Sequence, residues 1–186
     1  MEADWAVEIG VDAPIIDSAW ACLVDLRLHP DRASQLPECI QLPALAKTLI
    51  HLNADMSAVW TSKCDVWTIV DTAGIDPDEY DAQADESEHA IGCYIDLLPR
   101  SNDQWADLDI VVAECKKTCA TLRAASLRCC RVDLVIRRAV TASNRDDLGV
   151  TAYLTSCGTS NANASHTLEA VLEVFAHAFS GHSPVE

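Results

Sequence analysis

The chain has no apolar run approaching the ~18 residues that a membrane span requires, and its first residues, Met1-Glu2-Ala3-Asp4-Trp5, are acidic where a secretory signal needs a basic start. A cytoplasmic protein that neither spans nor docks on a membrane is the expectation. Positive charge is also scarce, with 13 Lys and Arg against 29 Asp and Glu and a formal net charge of −16. Binding DNA, RNA or anionic lipid through a basic patch is therefore excluded as the working hypothesis. The nine cysteines are odd in number and irregular in spacing, and without an export signal they read as free thiols rather than a disulfide framework. No catalytic, metal or nucleotide motif stands above background.

What is present is one recurring pattern. Ala21-Cys22-Leu23-Val24-Asp25-Leu26 and Gly92-Cys93-Tyr94-Ile95-Asp96-Leu97 share the order small, Cys, apolar, apolar, Asp, Leu. Cys64-Asp65-Val66 and Cys130-Arg131-Val132-Asp133-Leu134 follow later in each half, after a proline and a helical stretch. This predicts a duplicated strand-helix-strand unit, residues 18–70 and 90–140, with an acidic linker at 71–89 and a C-terminal extension at 141–186, in one domain over 1–186. Two such units most economically form an α+β, ferredoxin-like βαββαβ sandwich with helices on one face of an antiparallel sheet, with an added N-terminal strand and a C-terminal strand and helix.

Periodicity sets the elements. Strands are predicted at Trp5 to Val11, Ser18 to Leu28, Val59 to Val70, Ile91 to Leu98, Arg131 to Val140 and Gly149 to Leu154. Leu42, Leu45, Leu49 and Leu52 make one helical stripe. Ser101-Asn102-Asp103-Gln104 has the form of a capping box launching a helix with the stripe Trp105, Leu108, Val112, Cys115, Cys119 and Leu122. Leu168, Val171, Leu172, Phe175 and Phe179 form the last amphipathic helix. The linker carries Asp71, Asp76, Asp78, Glu79, Asp81, Asp85, Glu86 and Glu88 with no Lys or Arg. It reads as a solvated connection, because Tyr80 and Asp81 fall where a calcium loop needs a ligand and a glycine.

Three sets of residues are candidates for chemistry. Cys115, Cys119, Cys129 and Cys130 resemble a thiolate set, but two lie in a helix stripe and adjacent residues of a strand point to opposite faces, so core packing is expected, with no metal and no cofactor. Cys157 and Gly158 lie in a hydroxyl-rich stretch between a strand and a helix, where a thiol could use His166 as a base. The histidines are scattered without ligand spacing. Finally, if Cys22, Val24, Cys93 and Ile95 face the helices, Asp25, Asp96 and Asp133 project from the other face with Arg27, Arg131 and Arg137, beside Leu23, Tyr94 and Val135. The ligand or interface candidates are thus Asp25, Arg27, Tyr94, Asp96, Asp133 and Arg137.

The functional expectation is a binding or interaction module, not an enzyme, that uses this face to form a homodimer or to take a small molecule. The alternatives are an acidic inhibitor or immunity-type protein that meets a basic partner, and a small enzyme built on the Cys157 loop or the Asp25/Asp96 pair.

Overall fold

A computed structural model of the chain describes residues 1–10, 15–16, 23–101, 104–140 and 146–180. Its elements are β1 (Glu2–Val7), β2 (Ile15–Ile16), α1 (Pro37–Gln41), α2 (Pro43–Asn53), β3 (Val59–Ile69), β4 (His89–Pro99), α3 (Leu108–Ala124), β5 (Cys130–Val140), β6 (Asp146–Gly158) and α4 (Asn161–Ser180). The strands form one mixed sheet in the order β1-β5-β6-β4-β3, and the short β2 pairs with the far end of β5. β1 and β2 run parallel to β5, and every other neighbour is antiparallel. β4 and β5 therefore run the same way with β6 between them, and α3 makes the crossover.

Alternation builds the helix-covered face. Cys130, Val132, Leu134 and Ile136 of β5 lie in register with Ser156, Leu154, Ala152 and Val150 of β6, and those with Ile91, Cys93, Ile95 and Leu97 of β4. All twelve are buried. The stripes predicted for α2, α3 and α4 close over them, with Leu45, Leu49, Leu122, Leu168, Leu172 and Phe175 in the same core. Pro37 and Pro43 each open a helix, where the missing N–H costs nothing. Asn53, at the end of α2, donates to the Leu49 carbonyl at 2.8 Å and to Thr61 Oγ1 at 2.7 Å, and it accepts from Thr61 N at 3.1 Å, which ties the helix to β3. Among the described residues, no helix is long and apolar enough to cross a membrane.

Four expectations are corrected. Residues 23–28 form coil and turn, not the strand predicted over Ser18 to Leu28, whose earlier part lies outside the described residues with Cys22. The reason is local: Asp25 Oδ1 accepts from Arg27 N at 3.0 Å, the Asp25 carbonyl accepts from Leu28 N and His29 N, and Pro30 follows. The first strand-helix-strand unit is thus not seen, and β3 pairs with β4 instead. Helix α3 begins at Leu108, capped by Asp107, whose side chain accepts from Asp109 N at 2.9 Å. Trp105 is buried ahead of the helix, and Asn102 and Asp103 lie outside the described residues. Strand β6, expected as an addition, occupies the middle of the sheet. The acidic linker is exposed over most of its length, as a solvated connection should be, and forms short 3-10 turns at Thr72–Gly74, Pro77–Tyr80 and Ala84–Ser87.

Candidate functional site

The remaining positions of the same strands point away from the helices. They are Asp65 and Trp67 on β3, Gly92, Tyr94, Asp96 and Leu98 on β4, Thr151, Tyr153 and Thr155 on β6, and Arg131, Asp133, Val135 and Arg137 on β5. Across this face runs a row of rings. Trp67 and Tyr94 have centroids 6.3 Å apart, Tyr94 and Tyr153 are 6.2 Å apart, and the Arg137 guanidinium lies 5.7 Å from the Tyr153 ring. Arg137 in turn pairs with Glu8, just past β1, at 2.9 Å. Trp67, Tyr94 and Tyr153 are each half-buried. The row starts where it does because Trp67 lies over Gly92: a Cβ at that glycine would stand 2.5 Å from the indole.

The two ends of the row differ. At one end the acidic linker turns back onto the sheet. Tyr80 packs against Ala82, Ala90 and Cys157, and Glu79 pairs at 3.2 Å with Arg131, which grips Asp133 through two donors at 2.8 and 2.9 Å. Several linker carboxylates have structural duties there. Asp71 and Asp76 cap turns, Glu86 accepts from Gln83 N at 2.8 Å, and Arg128 meets Glu86 at 3.2 Å and Asp81 at 3.7 Å. At the other end the Arg27 guanidinium stacks 3.7 Å over the Trp60 ring while binding Asp25 at 2.7 and 2.9 Å. Trp60, Leu98 and Ala139 form a small apolar cluster beside it.

The carboxylates of the face differ in state. Asp96 is only 7% exposed and accepts from Thr151 Oγ1 at 2.6 Å. Burial raises its pKa above the ordinary carboxylate range, against the opposing pull of Thr151, Lys63 and Arg137. Asp25 is held low by the Arg27 guanidinium. Asp25 thus stands in a turn, bound by Arg27, and not on a strand beside Asp96, which is buried on β4 against Thr151. Tyr94 is pushed up to about 12, first by burial and then by Asp96 and Asp65. Beside Tyr94 the pairing of β3 slips between Thr61 and Cys64, and a cleft of about 440 Å³ opens at that edge, lined by Leu23, Leu26, Leu36, Lys63, Cys64 and Tyr94.

The Cys157 loop does not assemble. Cys157 is buried against Ala82 and Ala90 on the sheet face, its thiol pushed up to about 12 by burial, while the His166 side chain is 88% exposed on the helix layer next to Glu169. Gly158 has a packing reason, since a Cβ there would meet Ala164 N of α4 at 2.8 Å. The hydroxyls serve the same junction: Ser156 donates to the Ala164 carbonyl at 2.7 Å, and Ser160 accepts from Asn163 N at 3.2 Å. Cys115, Cys119 and Cys130 are likewise buried, with thiols raised to about 12, 11 and 11 mainly by burial. No group of three or more His, Cys, Asp or Glu among the described residues is arranged to hold a metal.

Alternation in the sequence placed Tyr94, Asp96, Asp133 and Arg137 on the face opposite the helices, where they lie, whereas Asp25 and Arg27 reach it from a turn and not from a strand beside Asp96. It missed Trp67, Tyr153 and Trp60. Tyr153 was accessible through alternation with Leu154, had β6 been placed inside the sheet. The histidines also pair unexpectedly. His51 of α2 and His177 of α4 have ring centroids 5.1 Å apart, in a cleft of about 430 Å³ between the two helices. The chain matches no family model, no curated protein and no solved structure.

Proposed function

We propose that this chain is an interaction module whose working surface is the sheet face opposite the helices, and that its partner is a basic protein. The observation that carries the reading is the ring row Trp67, Tyr94 and Tyr153, laid across three neighbouring strands and flanked by ion pairs. A face meant only for water has little reason to hold three adjacent aromatic rings, whereas aromatic rings rimmed by charge are the usual make-up of an interface. The net charge of −16 selects a cationic partner and speeds its approach. The experiment is chemical-shift mapping of nona-lysine on the whole chain. Perturbations should concentrate on β3, β4 and β6 around Trp67, Tyr94 and Tyr153. Perturbations confined to residues 71–88, or to the cleft between α2 and α4, would refute the reading.

A second copy of the chain is the other occupant this face suits, because Arg131, Asp133, Arg137 and Glu8 place both signs on it. Salt separates the two. Association with a basic partner weakens as salt is added, while self-association of a chain carrying −16 strengthens as its repulsion is screened. Sedimentation at low and high ionic strength reads the difference.

The architecture is read here as a rearranged ferredoxin-like sheet. Its neighbours β3-β4-β6-β5, with α3 and α4 on one side, are those of a βαββαβ unit whose last strand, β3, comes first in the chain. Strand β1 is then an addition beside β5.

A further inference from the structure

The sheet face repeats one unit: an aromatic ring, a guanidinium on it, and a carboxylate that holds the guanidinium. Trp60 has Arg27 at 3.7 Å from its ring, gripped by Asp25. Tyr153 has Arg137 at 5.7 Å, gripped by Glu8. A third corner has the ring and the carboxylate. Tyr94 is the cross-strand partner of Asp65, and Trp67 stands two residues further along the same strand, 6.3 Å from Tyr94. Among the described residues no arginine or lysine lies over these two rings or pairs with Asp65. Asp65 is exposed, its Oδ1 accepting from its neighbour Val66 N at 2.7 Å, which leaves Oδ2 for an incoming donor.

We infer that the corner formed by Asp65, Trp67 and Tyr94 receives an arginine side chain of a basic partner protein. The inference rests on the reading of this face as the working surface and names what the face takes. Arginine is favoured over lysine because a planar guanidinium can lie flat on an indole and still donate two parallel bonds to a carboxylate, as Arg27 does on Trp60 and Asp25. An ammonium makes one of these contacts at a time. The cleft of about 440 Å³ that starts at Tyr94 and continues past Leu23, Leu26 and Cys64 offers an apolar wall for the partner's residue next to that arginine. The partner's signature is therefore an exposed arginine beside an apolar side chain in a basic surface.

The test compares nona-arginine, nona-lysine and nona-citrulline binding to the whole chain by titration calorimetry near physiological salt. Nona-arginine should bind roughly 3- to 10-fold more tightly than nona-lysine, as expected of a stacked and gripped guanidinium, and nona-citrulline should not bind measurably. Asp65→Asn and Trp67→Ala should each bring the ratio of nona-arginine to nona-lysine affinity to within about 2-fold of unity, whatever either substitution does to nona-lysine binding itself. Asp65 is exposed, so its variant keeps the test alive if loss of Trp67 disturbs folding. Equal affinity for the two cationic peptides in the native chain, or a preference that survives both substitutions, overturns the inference. Nona-lysine binding that still falls on Tyr153→Ala would then leave the sheet face standing as the working surface. If Tyr153→Ala is silent as well, both readings fall together.

Discussion

The two faces of the sheet are made from alternate residues of the same strands, yet they share almost no chemistry. Toward the helices, Val132, Leu134 and Ile136 are wholly buried beneath Leu122 and Phe175. One residue along, Arg131, Asp133 and Arg137 face the other way and are occupied by ion pairs. The first face gains its energy from apolar area and close packing, so its residues are interchangeable in kind and fixed in volume. The second gains from specific partners: Arg27 on Trp60, Thr151 on Asp96, Trp67 over Gly92. On the function proposed, stability and recognition would be separable in this molecule by the parity of a residue in its strand.

The largest expected effect lies on the packed face. Phe175 is fully buried and its ring sits 5.2 Å from that of Phe179. Phe175→Ala should cost roughly 3–5 kcal/mol in urea unfolding, the range for truncating a buried aromatic side chain. A loss below about 1 kcal/mol would mean that the helices are not what holds the sheet, and the comparison of faces would fail.

Gly92→Ala sharpens the comparison from the other side. The new methyl would stand 2.5 Å from the Trp67 indole, so the ring must move, at a cost of roughly 1–3 kcal/mol for overpacking. The near-ultraviolet dichroism of Trp67 and the affinity for nona-lysine should change together. Unaltered dichroism and affinity would show that Trp67 is not seated on Gly92.

The smallest effect is that of Asp96→Asn. Burial raises the Asp96 pKa, so the native state holds this proton more tightly than the unfolded chain does. Its charged form then costs stability once the pH climbs above the ordinary carboxylate range, and the cost disappears as the pH falls below it. Asp25 has the opposite sign, because Arg27 lowers its pKa and the gain is lost on acidification. Asp96→Asn should be neutral to about 1 kcal/mol stabilising at pH 7, with the difference shrinking toward pH 3 in thermal unfolding. A destabilised variant at pH 7 would mean that the ionised carboxylate is used by the fold.

How far such assignments can be made from the residues alone differs between the faces. Leu42, Leu45, Leu49 and Leu52 announce α2 by spacing, and Leu168 to Phe179 announce α4, because burying one stripe is enough to specify a helix. The range of β3 was predicted to within a residue for a similar reason. Residues 23–28 alternate as a strand would, but the side chain of Asp25 supplies turn hydrogen bonds that the alternation does not register. Which strands are neighbours is a matter of long-range pairing and leaves no periodic trace. For that reason the partners of Tyr94 on the face, Trp67 and Tyr153, were not assembled from the sequence, although Asp133 and Arg137 were put on the correct side.

The account's central claim is that the second face binds and the first face folds. Titration of nona-lysine into Tyr94→Ala tests it most directly, because Tyr94 stands in the middle of the ring row and touches both Trp67 and Tyr153. The prediction is an affinity lowered by roughly 3- to 10-fold, the scale of one lost cation-ring site, in a protein whose unfolding transition stays cooperative. Affinity equal to that of the native chain would contradict the claim and place cation binding on some other part of the surface.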